Sequence, residues 1–326
     1  MTLPNFTYIR PRSLTDAVSH LRSPEARIHA GGTDLLGCLR DGVFGAEKLV
    51  SIGHLEQLQG IERTPDGRVR VGALTLIAEL AASGLIRQSY PALARGAAEV
   101  ASPQLRNQGT LGGNLCQKPR CWYYRGEFVC LRKGGDKCYA YDGENQYHCI
   151  LGGSVCFITH PSDTAPALVA YDAVIRVVGA NGFREMPAGK FHILPEESVE
   201  KETVLAPDEI VTEIFLPPFR PGWRSSYRKV RARRSWDFAL AGVALALKFR
   251  GDVVDEARVV LSGAAPIPWR SREVEESITG KRLDGETAAR AAEAAVKEAH
   301  PLKNNGYKIA LFRGMIEEEL LKISKA

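Results

Sequence analysis

Residues 28–35 read IHAGGTDL, and residues 105–116 read LRNQGTLGGNLC. In the first, a short run, Arg27–Ala30, has the look of a buried strand. It enters a glycine pair, Thr33 and Asp34, and then Leu35, Leu36 and Leu39 at helical spacing. Glycine lets a backbone come close to a ligand and adopt positive φ. The N–H groups at the start of the following helix attract anions. Strand, glycine turn and helix start together have the chemistry of a phosphate cradle, and Asn107–Asn114 repeats its logic. Neither stretch is a Walker A loop, since no Gly-Lys-Ser/Thr follows. Neither is the GxGxxG dinucleotide fingerprint. Each pair taken singly reads as a tight turn. Two such turns, each carrying threonine with a carboxylate or amide, favour a shared anion site.

The surrounding sequence reads as α/β. Ser13 is placed to cap a helix carrying Leu14, Ala17, Val18 and Leu21, with Asp16 favourable in its first turn. Residues 48–52 and 69–73 read as strands, the second after the turn Pro65-Asp66-Gly67. Residues 76–83 and 91–100 read as helices, with Pro91 suited to a first turn. Residues 107–114 read as a glycine-rich turn region. Residues 164–171 read as a helix and 174–178 as a strand. Three prolines and a glycine in LPPFRPGW (216–223) mark a boundary. Beyond it, strands are expected at 243–249 and 257–261, and helices at 285–299 and 307–323. No repeat or low-complexity tract is present.

The chain has 326 residues, is 44% apolar and 25% charged, and carries a formal charge of +5. That is the composition of a globular protein of two or three domains or one large one. The charges of both signs are dispersed and do not argue for nucleic acid or membrane. The longest apolar run, FALAGVALAL (238–247), is far short of the ~20 residues that span a bilayer. The N-terminus shows no apolar leader, and a cytoplasmic setting is expected.

Six of the seven cysteines fall between 116 and 156: Cys116, Cys121, Cys130, Cys138, Cys149 and Cys156. Five Tyr and one Trp lie between Cys121 and Cys149, with little periodicity. A reducing compartment turns such a cluster toward metal or redox work, against the alternatives of buried inert thiols and disulfides. Spacing alone leaves zinc and iron–sulfur open, since tetrahedral thiolate sites suit both.

At this point the motifs carry a resemblance. AGGTDLL (30–36), LRNQGTLGGNLC (105–116), SDTAPAL (162–168), PDEIV (207–211), YRKVRARRSWDFA (227–239) and GAAPIPWR (263–270) occur in order along essentially the whole chain. They resemble the FAD-binding medium subunit of the xanthine dehydrogenase, or molybdenum hydroxylase, family. The resemblance implies an α+β chain with a flavin-binding region of the vanillyl-alcohol-oxidase (PCMH) type over residues 1–222. That region would form two α/β subdomains, about 1–55 and 56–222, followed by a smaller α+β domain of the CO dehydrogenase flavoprotein type over 223–326. It implies a molybdopterin-binding large subunit, a [2Fe–2S] small subunit and an external electron carrier such as ferredoxin or NAD as partners. The chemistry of this chain would then be flavin redox, with no substrate acid or base of its own.

Carried over residue by residue, the flavin's pyrophosphate contacts fall on Ile28, His29, Ala30, Gly31, Gly32, Thr33, Asp34 and Leu35. Ala101, Thr110, Gly113 and Asn114 match the second cradle. Asp163 matches a carboxylate near the ribityl or phosphate portion, and Val211 and Lys229 match contacts near the isoalloxazine. In most of the family Asn114-Leu115-Cys116 runs almost directly into the Asp163 segment; here an insertion, about 117–158, intervenes. It is similar to that of the subset typified by 4-hydroxybenzoyl-CoA reductase and a bacterial periplasmic aldehyde oxidoreductase, where the insertion binds a [4Fe–4S] cluster. The subset's pattern falls on Cys121, Cys130, Cys138 and Cys156, spaced C-x8-C-x7-C-x17-C, with four thiolates the usual ligand set. Related sequences usually carry alanine at the position of Cys149, Cys116 fits the ordinary N-L-C motif, and Cys38 is expected to pack inside a helix. Arg120, Arg125, Arg132, Lys133 and Lys137 are expected to lower thiol pKa and offset the cluster's charge. Competing readings are 4-hydroxybenzoyl-CoA reductase itself, a stand-alone flavin oxidase, and a zinc-stapled scaffold without flavin.

Overall fold

The computed structural model describes residues 2–219 and 221–325; Arg220, inside the proline-rich stretch, lies outside them. Three short strands, β1 (Thr7–Ile9), β2 (Ala26–His29) and β3 (Lys48–Ser51), form a parallel sheet of order β1-β3-β2. Helix Leu14–Leu21 connects the first two, and Ser13 Oγ caps it by accepting from the Asp16 N–H at 3.1 Å. Ala17, Val18 and Leu21 bury against Val50 and Ile52. Strand β1 was not foreseen: three half-exposed residues carry almost no pattern.

Strands β4 (Ile61–Arg63), β5 (Val69–Gly72), β6 (Val174–Gly179), β7 (Gly182–Pro187) and β8 (Ile210–Leu216) build an antiparallel sheet of order β4-β5-β8-β6-β7. Val69, Val71, Ile175, Val177 and Ile214 share one core with Leu80, Ile86, Leu93 and Leu168 from helices Ile77–Ala82, Gly84–Ser89, Pro91–Ala98 and Ala165–Ala170. The glycine-rich stretch 107–114 is more ordered than expected. It continues a helical turn, Pro103–Arg106, and enters helix Leu111–Leu115, whose N-cap Thr110 accepts from Gly113 N–H at 3.2 Å. Two glycines make a poor helix in isolation. Here Leu111 N–H donates to Thr75 O and Gly112 N–H to Ala73 O, so tertiary contact overrides propensity.

Strands β9 (Trp223–Val230), β10 (Ala241–Arg250), β11 (Val253–Ser262) and β12 (Trp269–Arg270) form a second antiparallel sheet of order β12-β11-β10-β9. The apolar run noted above is its central strand. Val243, Leu245 and Leu247 pack beneath helices Arg272–Ile278, Gly285–Ala294 and Tyr307–Ser324, whereas Ala244 and Ala246 face the preceding sheet's core. Burial on both faces explains why it reads as continuous apolar sequence. Small residues on one face let the two layers approach. Helices Gly84–Ser89 and Arg272–Ile278 were not anticipated, and the helix expected over 285–299 closes at Ala294.

The cysteine-bearing segment has only two short helical turns, Trp122–Arg125 and Leu131–Lys133, yet it is anchored at both ends. Asn305, fully buried, donates to the carbonyls of His148 (3.1 Å) and Cys149 (3.0 Å). The Lys308 ammonium, also buried, donates to Tyr147 O (3.2 Å) and Gly263 O (2.8 Å); desolvation lowers its pKa to about 8. Ile150 and Leu151 N–H both donate to Ala264 O, and their side chains join the core of the C-terminal helices. GAAPIPWR thus begins as the receptor for the far end of the insertion. We expect Asn305→Ala to leave those two buried carbonyls unpaired, costing about 1–3 kcal/mol. A lowered urea midpoint and faster amide exchange at 145–151 would be measured; unchanged exchange there would refute this anchoring.

His160 and His192 lie fully buried with ring centroids 4.0 Å apart, and His192 Nε2 meets Leu115 O at 3.0 Å. Burial lowers His192 from 6.5 to about 4 and His160 well below its ordinary value. The unfolded chain therefore binds more protons than the folded one below about pH 6.5, and stability falls as pH drops from there toward 4. Urea unfolding between pH 7 and 4.5 should show this slope, and His192→Gln should flatten it.

Candidate functional site

The two glycine turns meet backbone to backbone. A Cβ on Gly31 would lie 2.0 Å from Gln108 O, and a Cβ on Gly109 would lie 3.6 Å from Thr33 Oγ1. Gly32 has φ +70°, the left-handed region that glycine occupies without strain. Around this junction opens a cleft of about 1110 Å³. Ile28 and residues Ala30 to Leu35 line it from the first turn. Ala101, Thr110, Gly113 and Asn114 line it from the second, and Asp163 and Val211 from beyond the insertion.

Two of the expected contacts stand outside the cleft lining. His29 packs edge-on against the Tyr8 ring at 5.8 Å. Lys229 stands behind Asp163: its fully buried side chain donates to Asp163 Oδ2 at 2.7 Å and Glu99 O at 3.1 Å. Tyr227 donates to Asp163 Oδ1 at 2.8 Å. Burial pushes the Asp163 carboxyl up, while Lys229 and Tyr227 pull it down. Strand β9 therefore reaches the cleft through Asp163. Asn114 is fixed similarly, its Oδ1 accepting from Ser162 Oγ (2.6 Å) and Thr164 Oγ1 (2.7 Å).

Asp34 is turned toward the cysteine-bearing segment. Its Oδ1 meets Arg120 at 2.8 Å and Arg125 at 2.7 Å, and its Oδ2 accepts from Lys118 N–H at 2.8 Å. Glu202 likewise pairs with Lys118 (2.6 Å) and the buried Arg132. The basic residues expected to serve the cysteines are thus largely engaged elsewhere. Lys133 donates to Gly126 O, and Lys137 lies over the Tyr139 ring.

The sequence reading missed one whole wall of the cleft. Arg233, Trp236, Asp237 and Phe238, in the loop between β9 and β10, line it, as do Lys118, Arg120, Tyr124 and Arg132 of the cysteine-bearing segment. The Arg120 guanidinium lies over the Phe238 ring at 4.9 Å and bridges the two segments. Ala101 (φ +43°) and Trp236 (φ +52°) are strained non-glycine residues, and the Trp236 N–H donates to Ala101 O at 3.0 Å. Strain of this kind gathers at binding sites. The available signal was RRSWDF, aromatic residues set among arginines just past a strand.

All seven cysteines are free. Cys121, Cys130, Cys138 and Cys156 line one small cavity of about 10 Å³, with Tyr124 and Arg132. Cys38 packs beside Tyr124 and Cys130, and Cys149 is buried beside Gly153. Neither they nor Cys116 lines that cavity. Cys156 hydrogen-bonds Cys138, which holds the Cys138 thiol down at about 6 and pushes Cys156 up. Burial raises Cys121 to about 11, opposite to the expected lowering by basic neighbours. Among the described residues no three His, Cys, Asp or Glu side chains are set to hold one metal ion.

The family model described as the FAD binding domain in molybdopterin dehydrogenase matches residues 4–126 and 146–219, and that of the CO dehydrogenase flavoprotein C-terminal domain matches 225–322. The chain belongs to this family of FAD-binding subunits. It is similar to the aldehyde oxidoreductase FAD-binding subunit of Escherichia coli, 35% identical over 94% of each chain. It is also similar to the carbon monoxide dehydrogenase medium chain of Hydrogenophaga pseudoflava, 28% identical over 98% of this chain and 97% of that one. The solved carbon monoxide dehydrogenase of that organism superposes with TM-score 0.78 at 26% identity, covering 99% and 98%. The mixed α/β fold with its C-terminal domain, and an oxidoreductase subunit of the molybdenum hydroxylase type, follow from this membership.

A FAD-binding subunit needs a cleft for a dinucleotide. This cleft exceeds the ~300–1,000 Å³ that drug-sized ligands fill, and its glycine turns leave backbone uncovered. The residues present fit the cofactor. Gly31→Ala would drive a methyl into the Gln108 carbonyl, so we expect the purified variant to lose most of its flavin absorbance. Gly37→Ala has nothing within 4 Å of the new methyl. It should keep its flavin and gain about 0.5–1 kcal/mol of helix stability. Equal flavin content in the two would contradict this cradle.

Proposed function

We propose that this chain is the electron-transfer subunit of a molybdenum hydroxylase-type complex, carrying FAD in the cleft and a [4Fe–4S] cluster on Cys121, Cys130, Cys138 and Cys156. One observation carries the reading: four cysteines spread over residues 121–156, and no others, line a single cavity that shares Tyr124 and Arg132 with the cleft. A cubane gives each thiolate its own iron, so its ligands stand further apart than those of a single metal ion. The cavity as closed holds about one water, so loading must part Cys138 from Cys156.

In this reading the two turns, with Ile28 and residues Ala30 to Leu35 on one and Ala101, Thr110, Gly113 and Asn114 on the other, would hold the pyrophosphate. Val211 would lie near the ring, with Lys229 acting through Asp163. Bound FAD supplies reversible electron acceptance. The chain's own residues hold it, shield it and fix charge around it. Partners are a molybdopterin-binding large subunit, where substrate chemistry occurs, a [2Fe–2S] small subunit, and an external carrier such as ferredoxin or NAD. The domain division at residues 222/223 is supported by the separate sheets on either side. A cytoplasmic setting, where thiols stay reduced, belongs to the same reading.

The E. coli relative favours an aldehyde as substrate of the complex; the insertion itself equally suits 4-hydroxybenzoyl-CoA reduction. Adding either substrate to the complete complex separates these: an aldehyde should bleach the flavin without added donor, whereas the reductase would need a low-potential donor and 4-hydroxybenzoyl-CoA.

The purified chain should contain about four irons and a broad visible absorbance that dithionite bleaches. Cys121→Ser and Cys156→Ser should lose iron, and Cys149→Ser should keep it. Zinc without iron, or a full cluster in Cys156→Ser, would overturn the ligand assignment.

A further inference from the structure

The cleft and the cysteine cavity share two lining residues, Tyr124 and Arg132. The Arg132 side chain is 2% exposed. Its Nη2 is taken by Glu202 and, at 3.4 Å, by Glu200 O. Its Nε and Nη1 have no hydrogen-bond partner among the described residues. A guanidinium has five N–H donors in a planar fork, so three are buried and unmet. The guanidinium carbon stands 5.7 Å from the centre of the Tyr124 ring. Donors left unpaired in a dry interior are costly, and a charged fork held there by a single carboxylate is set for an anion. Arg132 follows Cys130 by two residues, in the turn Leu131–Lys133 that carries it to the cavity wall.

We infer that Arg132 is a positioning residue between the two redox centres, its free Nε and Nη1 donating to the negative charge of a cysteine-held iron–sulfur cluster. This rests on the cluster reading above. Hydrogen bonds to cluster sulfur and nearby positive charge make a cluster easier to reduce. Arg132 therefore raises the cluster's reduction potential, and Glu202, its counter-ion, restrains that effect. With Tyr124 it lines both the cavity and the cleft, on a direct electron path between them.

The test is an EPR-monitored redox titration of the assembled, FAD-loaded complex, with iron counted in each sample. In Arg132→Gln the ratio of reduced to oxidised cluster at a fixed potential should fall about tenfold or more, a downward shift of about 59 mV for one electron. Glu202→Gln, which leaves the arginine charge uncompensated, should shift the ratio the opposite way. A merely structural role predicts no such opposite pair. If the wild-type protein holds no iron–sulfur cluster, the cluster reading fails and takes this inference with it. If both variants hold full iron with unchanged potentials, the inference about Arg132 fails and the cluster reading stands. Should Arg132→Gln not load iron, Glu202→Gln decides alone: an unchanged or lowered potential overturns the inference.

Discussion

The structure turns on the close approach of Gly31 to Gln108. Two glycine turns, one leaving the parallel sheet and one leading into helix Leu111–Leu115, press backbone against backbone. A side chain on Gly31 would have no room, since a Cβ there would sit 2.0 Å from a carbonyl oxygen. The contact leaves both turns facing one cleft, and every other wall is arranged around that junction. Asp34, three residues on, then carries the geometry outward by gathering Lys118, Arg120 and Arg125. The same short motif that shapes the cradle thus seats the near end of the cysteine insertion.

The far end of that insertion is held by the C-terminal domain through buried polar groups, Asn305 and Lys308, together with the Ala264 carbonyl. Such groups are costly unless each finds its partner. The cost restricts the loop to one conformation, in a segment too irregular to be ordered by secondary structure. On the opposite side, the buried ion pair of Asp163 and Lys229 joins β9 to the cleft. The C-terminal domain therefore touches both the flavin cleft and the cysteine segment.

Much of this was legible in the sequence. The strand–glycine–helix reading of IHAGGTDL and the capped helix after Ser13 appear as expected, because they depend on local backbone chemistry. The runs at 48–51, 69–72, 174–179 and 241–262 appear as strands because burial on a pleated sheet selects apolar and β-branched residues. The elements that escaped, β1, helix Gly84–Ser89 and helix Arg272–Ile278, are short, and no periodicity builds up over so few residues. The thiol pKa expectation went the other way at Cys121, because burial raises the thiol, while the arginines close to it in sequence pair with distant carboxylates.

By itself the sequence determined the family and the mixed α/β class, and pointed to two glycine turns and four cysteines that line a cleft and a cavity. These rest on local conformational preference and on motifs at fixed spacing. Only the tertiary structure decided where charge goes: that Lys229 grips Asp163 and stands back from the cleft, that Asp34 faces the insertion, and that Arg132 keeps unpaired donors between two cavities. The physical reason is that an ion pair or a desolvated donor depends on which distant segments the fold brings within a few ångströms. Residue spacing along the chain holds no record of that distance.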